Sequence, residues 1–152
     1  MAENLTFKVT LSGTFWEKRP QFSIWLDEHV AVQSEIPDQQ PHVFQFSHEL
    51  DEGTHSLKIR LENKEPSDVV KDNPDSENYT IVKDMLLNIE DIEIDNVSLG
   101  RLIWNTEFIL DEPVEYQGQT ITKLKECVNL GNNGTYILEF SSPFYIWLLE
   151  NL

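Results

Sequence analysis

Apolar residues recur at every second position in segment after segment of this chain, and a period of two admits strands and little else. Leu5, Phe7, Val9 and Leu11 alternate with Thr6, Lys8 and Thr10, the pattern of a strand with one buried face. Phe22, Ile24 and Leu26 repeat it, and Asp27-Glu28 turns the chain into a short strand carrying Val30 and Val32. Pro37 and Pro41 bound a loop. Phe44, Phe46, His48 and Leu50 then share one face, as do Leu57, Ile59 and Leu61. Asp51-Glu52-Gly53 between them reads as a hairpin turn, with Gly53 supplying the positive φ such loops often need. Leu87, Ile89, Ile92 and Ile94 restart the alternation, with a phase change near Glu90-Asp91 that predicts a bulge. Asp95-Asn96 predicts a turn. The order of segments from Pro20 to Asn96 points to an antiparallel sandwich.

The rest of the chain is less regular. Leu102 with Trp104, and Phe108 with Leu110, suggest two further strands, and Asp111 to Gln119 reads as loop. Ile121 to Leu130 is ambiguous between a strand and a short helix, while Asn132-Asn133-Gly134 is a hairpin signal before Tyr136, Leu138 and Phe140. In SSPFYIWLLENL, Ser142 fits a helix N-cap and Pro143 the first helical position, with a final strand as the competing reading. The expected fold is all-β: a two-layer antiparallel β-sandwich of jelly-roll type, with or without a short C-terminal helix. Residues 1–152 form one domain with a long acidic insertion at 63–84.

With Lys+Arg 11 against Asp+Glu 27, the net charge is −16. Such a surface repels phosphate backbones and anionic membranes, so nucleic acid and lipid surfaces are not expected partners. The N-terminal MAENLTFKV enters a strand with no basic region and no apolar run. Synthesis in a cytosol without a secretion signal is the expectation, and no stretch approaches the roughly 18–20 apolar residues of a membrane span. Cys127 is alone, so no internal disulfide forms and a buried or half-buried thiol is expected.

From Glu62 to Asp84 no periodicity survives, and long loops of this kind are usually functional or mobile. Calcium takes six to eight oxygen ligands, and Asp68, Asp72, Asp75, Glu77 and Asp84 beside Asn63 offer that chemistry without the spacing of an EF-hand loop. The competing reading is a solvated loop whose charges never converge. Glu93 and Asp95 lie opposite Ile92 and Ile94, which describes a solvent face better than a catalytic carboxylate pair. His48 and His55 flank the expected hairpin turn and would face each other as a strand pair. No nucleophile elbow, phosphate loop or dinucleotide fingerprint occurs, so no catalytic residue is nominated and the chain is not expected to be an enzyme. Trp16, Trp25, Trp104, Trp147, Tyr79 and Tyr116 are the aromatics available for stacking on a ligand. Trp16, past a strand end beside Glu17, Lys18 and Arg19, and Tyr79, within the insertion, are the best placed.

The stretch GTHSLKIRLENK, the insertion and DMLLNIEDIEIDN together resemble the calcium-dependent xylan-binding modules. Gly53, His55, Leu57, Ile59, Leu61 and Asn63 match that family's "G-x-H-x-V-x-V-x-F-x-N-D" strand. Asp84, Leu87, Ile89, Ile92 and Ile94 match its "D-R-N-L-x-V-D-x-I-x-V-x-G" segment, and FSIWLDEHV is similar to its "F-x-L-W-V-D-G-x" strand. Lys64 departs from the pattern, standing where the family has the Asp of its Asn-Asp pair; Glu90 replaces an Asp and Asn96 a Gly. The resemblance covers about the first two-thirds of the chain. It implies a non-catalytic carbohydrate-binding-type module and carries over Asp84 as a calcium-ligand position. Joined to the residue reading above, the expectation is that the loop holds calcium through Asp72, Asp75 and Asp84 or contacts glycan hydroxyls directly, with Trp16 or Tyr79 stacking on the sugar. The last third, SLGRLIW to SSPFYIWLLENL, looks like uncharacterised proteins of large tailed bacteriophages. That likeness implies a virion or host-recognition component, released by lysis. The rival expectation is a purely structural virion or assembly protein, partnered by other virion proteins and holding no small ligand. If Lys64 pairs with Glu62 or Asp84, no calcium site remains there. Nothing in the sequence sets an oligomeric state.

Overall fold

The computed structural model describes every residue except Met1, Pro74, Ser76 and Glu77. Its strands are β1 (Glu3–Thr14), β2 (Gln21–Leu26), β3 (His29–Glu35), β4 (His42–Leu50), β5 (Gly53–Leu61), β6 (Val70–Lys71) and β7 (Ile81–Lys83). There follow β8 (Leu86–Ile94), β9 (Val97–Ser98), β10 (Glu107–Tyr116), β11 (Gln119–Lys125), β12 (Asn129–Leu130), β13 (Gly134–Ser142) and helix α1 (Phe144–Asn151). Two antiparallel sheets face each other. One runs β12-β8-β1-β4 with β9 beside β8, and the other runs β11-β10-β13-β5-β2-β3. The all-β, two-layer sandwich expected from the alternation is present, and of the two readings of the C-terminal segment the structure has the helix. Among the described residues no helix is long and apolar enough to cross a membrane.

Alternation places the core. Phe7, Val9 and Leu11 of β1 and Ile92 and Ile94 of β8 meet Phe22 and Ile24 of β2, Leu57 and Ile59 of β5, and Tyr136 and Leu138 of β13, all buried in one cluster. Phe22 and Phe44 touch edge to face across the layers at 4.8 Å between ring centres, and Phe7 stacks on its strand partner Phe46 at 5.0 Å. The phase change in β8 is a bulge: Thr10 pairs with Asp91 and Leu11 with Ile89, leaving Glu90 as the extra residue. Its carboxylate accepts the Ser12 hydroxyl proton at 2.6 Å. Asp95 and Asn96 adopt φ of 50° and 65°, the left-handed pair of a tight hairpin turn.

Four expected turns and segments need correction. The β4–β5 connection is not a hairpin, because β4 pairs with β1 in one sheet and β5 with β2 and β13 in the other. The chain arches over the core, so both apolar faces point at each other instead of lying side by side. Asn132-Asn133-Gly134 also crosses between sheets, since β12 pairs with β8 and β13 with β5 and β10. Gly100–Trp104 is a 3₁₀ turn, not a strand; Leu99 at its N-cap and Ile103 within it, four apart, are buried, a helical spacing. The segment after Leu110 is no loop: β10 and β11 continue as a two-stranded arm turning at Gln117-Gly118. Every residue from Asp111 to Thr120 in that arm is exposed.

At the end where β4 passes to β5, His55 ties two connections together. Its Nδ1 lies 2.7 Å from an Asp27 carboxylate oxygen and its Nε2 lies 2.6 Å from the Asp51 carbonyl oxygen. Both partners are pure acceptors, so only the imidazolium, with a proton on each nitrogen, satisfies both. Partial burial acts to lower the His55 pKa, but the hydrogen bonds to Asp51 and Asp27 and the charge of Asp27 outweigh it, and the net shift is upward. His48 does not face His55; it stacks on His29, ring centres 5.7 Å apart. A raised folded pKa gives stability that is fully present below the unfolded value near 6.5 and is lost as pH rises through the folded value. The destabilisation caused by His55→Gln, measured by urea unfolding, is therefore expected to shrink as pH climbs from about 6 to about 9. A constant difference would mean that His55 acts through packing alone.

The C-terminal helix is capped from the other end of the chain. Ser142 is the last residue of β13 and Pro143 stands at the N-cap without a side-chain cap. Glu3 supplies the missing acceptor, its carboxylate taking the Phe144 N–H at 2.7 Å and the Ser142 hydroxyl at 2.6 Å. A helix leaves its first N–H groups without intrahelical partners, and a carboxylate there also suits the helix dipole.

Candidate functional site

The register places the β1–β2 connection, the insertion, the residues before β13 and the β10–β11 arm at one end of the sandwich. The insertion is built, not structureless. Pro66–Asp68 form a 3₁₀ turn in which the Asp68 carboxylate accepts the Glu65 N–H at 2.7 Å. β6 and β7 then pair as a small ribbon. Lysines fasten the segment to the body. Lys18 reaches Asp68 at 2.8 Å and Glu65 at 3.0 Å, and the Trp16 indole N–H donates to the Asp68 carbonyl at 3.0 Å.

The sequence-nominated ligands are distributed along this segment rather than gathered. Asp84 forms an ion pair with the Lys64 ammonium, which also donates to the Met85 carbonyl at 2.6 Å. The same Asp84 oxygen accepts the Met85 N–H at 2.7 Å. Asp72 accepts the Thr80 N–H at 2.7 Å across the ribbon. Asp75 is exposed and makes no hydrogen bond or ion pair among the described residues, and Glu77 lies outside them. Among the described residues no three His, Cys, Asp or Glu side chains converge as a metal site. The donor set at Asp84 does not fit calcium: a cation of the protein's own is already bonded to it, and a second positive charge beside Lys64 would be repelled. Trp16 and Tyr79 are both exposed, but each has an ammonium over its ring. Lys83 stands 4.9 Å from the Trp16 ring and Lys71 stands 4.1 Å from the Tyr79 ring, positions favourable to cation–π attraction. A groove of about 370 Å³ runs beside the arm, lined by Lys64, Pro66, Asp111, Val114 and Asn133 among others.

A second surface was not singled out by sequence reasoning. Directly opposed residues share a face, so the row Trp25, Lys58, Ile137, Glu107, Lys125 runs across the outer face of the six-stranded sheet. Ser23, Arg60, Thr135, Ile109 and Lys123 form the next row. Apart from the buried Ser23, the residues of these rows are half-buried or exposed. Arg60 holds Asp111 at 2.8 and 3.2 Å, Lys123 pairs with Glu107 at 3.4 Å, and Trp25 donates its indole N–H to Ser23 at 2.7 Å. At the edge of this face the 3₁₀ turn presents Trp104, 46% exposed. The turn is pinned because the Ile103 carbonyl accepts both the Tyr136 hydroxyl at 2.6 Å and the Thr106 hydroxyl at 3.1 Å. Trp104 lines one groove of about 670 Å³ with Glu107, Lys125, Glu126, Ile137 and Glu139. It lines another of about 540 Å³ with Leu99, Arg101, Glu126 and Leu152. The helical spacing of Leu99 and Ile103 was the signal that would have turned Trp104 outward.

No family model and no curated protein matches the chain. Two solved structures are similar in fold. One is the carbohydrate-binding module vCBM60 in complex with galactobiose, with a TM-score of 0.56 at 8% identity, covering 88% of this chain and 96% of that one. The other is a selenomethionine form of vCBM60, described with a link by circular permutation between two families of calcium-dependent carbohydrate-binding modules. It superposes with a TM-score of 0.53 at 10% identity, over 88% of this chain and 89% of that one. At these identities the likeness is one of fold.

Proposed function

We propose that this protein is a non-catalytic carbohydrate-binding module. The observation that carries the reading is the outer face of the six-stranded sheet, where the exposed Trp104 borders rows of hydrogen-bonding side chains. A sugar ring has apolar C–H faces and a rim of hydroxyls, so a surface that joins aromatic rings to carboxylate, amide and ammonium groups meets both chemistries. Fold alone does not decide function, but the superposition on a module holding galactobiose supports the same direction. The reading uses no metal, because Lys64 occupies the place at Asp84 where a cation was expected. A place on a phage particle, as a host-recognition component acting on surface glycan, is the setting this reading proposes.

The test is binding of the purified chain to a panel of soluble oligosaccharides and polysaccharides by affinity electrophoresis and calorimetry, with products analysed after long incubation. Saturable binding without cleavage is the expected result. Released sugars would replace the reading with a hydrolase, and an absence of binding across the panel would favour the structural-protein alternative.

A further inference from the structure

We infer that the two grooves either side of Trp104 form the glycan subsite, and that its ligand is an uncharged oligosaccharide of at least two sugar units. This rests on the carbohydrate-binding reading and adds the place and the ligand class. Of the four tryptophans, three are committed elsewhere. Trp16 gives its N–H to Asp68 beneath Lys83, Trp25 gives its N–H to Ser23, and Trp147 packs on Phe140 and Phe144. Trp104 makes no hydrogen bond or ring contact among the described residues, and its indole is a wall common to both grooves. Their volumes of about 670 and 540 Å³ fall in the range of small-ligand clefts, roughly 300–1,000 Å³.

The polar groups around it are equally available. Asn105, Lys125, Glu126 and Glu139 make no side-chain hydrogen bond or ion pair among the described residues, unlike Asp68, Asp72 and Asp84 of the insertion, which lysines and a backbone N–H group engage. Glu126 also holds a left-handed φ of 54°, a conformation uncommon for a residue with a side chain, at the lip shared by both grooves. Glu126 and Glu139 accept hydroxyl protons, while Asn105 and Lys125 donate to ring and hydroxyl oxygens. The sign of the charge selects the ligand. With Glu107 paired to Lys123, Glu126 and Glu139 still outnumber Lys125 around the larger groove, and Arg101 balances Glu126 in the smaller one, on a chain of net charge −16. Uronic acids, sialic acids and sulfated glycans are repelled, and neutral sugars are not.

The experiment titrates the full chain with galactobiose and neutral gluco-, manno- and xylo-oligosaccharides, and with polygalacturonate as the anionic probe. Calorimetry is paired with NMR observation of the indole N–H signals. The expected result is that a neutral oligosaccharide binds and shifts the Trp104 indole signal, polygalacturonate does not bind, and Trp104→Ala weakens binding at least about tenfold. Glu139→Ala, on an exposed strand position, should weaken it several-fold with the melting temperature unchanged, and Trp16→Ala and Tyr79→Ala should bind as the parent does. Binding that survives Trp104→Ala but is lost in Trp16→Ala or Tyr79→Ala would overturn this subsite while leaving the carbohydrate-binding reading intact. Preferential binding of polygalacturonate would overturn the ligand class. A Trp104 signal that moves only with protein concentration would make this a self-association surface, and an absence of binding by every glycan would remove both the reading and the inference.

Discussion

Gly134→Ala is expected to lower the unfolding free energy by about 3 kcal/mol or more, a fall in melting temperature of roughly 6–12 °C for a chain this long. Gly134 opens β13 between Leu61 of β5 and Leu110 of β10, and it is buried. A Cβ there would stand 2.3 Å from the Ile109 carbonyl oxygen, 3.0 Å from Phe108 and 3.1 Å from the Leu110 backbone. Two of those three neighbours are main chain, so relief requires β10 to move and its ladder to β13 to break. Gly134 is not among the residues of positive φ; it is there for close approach, not for a turn. Gly131→Ala, three positions earlier, meets only the end of the Leu86 side chain at 3.1 Å and should cost under about 1 kcal/mol. Chemical denaturation of the two variants checks the contrast. Equal, small losses would mean that the crossing between sheets is looser than described.

Lys64→Met should cost about 2–3 kcal/mol. The Lys64 side chain is 8% exposed and that of Asp84 21%, so removing the ammonium strands a half-buried carboxylate beside an unpaired Met85 carbonyl. Losing one partner of a buried pair costs more than losing both, because the remaining charge keeps its desolvation penalty. Lys64→Met combined with Asp84→Asn is therefore expected to recover more than half of the loss. The ammonium also predicts the response to metal. Millimolar calcium after EDTA treatment should leave the melting temperature of the parent chain unchanged. A bound ion at about 100 times its dissociation constant would add roughly 2.7 kcal/mol, so a rise of several degrees would overturn this reading of Lys64.

The strands and their buried faces were legible because alternation records, residue by residue, which side meets apolar neighbours. Phe7, Ile24, Ile59, Ile92 and Leu138 could be assigned inward on that ground, and each is buried. Glu90 was legible for the same reason, since one extra residue inverts the phase. The candidate site was harder to read. Residue type and loop position point to Trp16, Tyr79, Asp72, Asp75 and Asp84. Which of them meets which depends on contacts such as Lys18 with Asp68 and Lys64 with Asp84, 50 and 20 residues apart by number. A strand period fits Leu102 and Trp104, although Leu99 and Ile103 have helical spacing; a five-residue turn is too short for periodicity to settle.

By itself, the sequence determined that this chain is a sandwich of strands with these inner faces, a bulge at Glu90, a turn at Asp95-Asn96 and an acidic surface. Only the tertiary structure decided that Asp51-Glu52 and Asn132-Asn133 carry the chain from one sheet to the other. It also decided that Lys64 stands at Asp84 and that Trp104 is turned outward on a pinned turn. The physical reason is dimensional. Alternation specifies a face along one strand, and a strand beside its neighbour or across the core from it buries that face equally well. The choice between them rests on backbone hydrogen bonds and close approaches, such as Gly134 against Ile109, that join residues far apart in the chain.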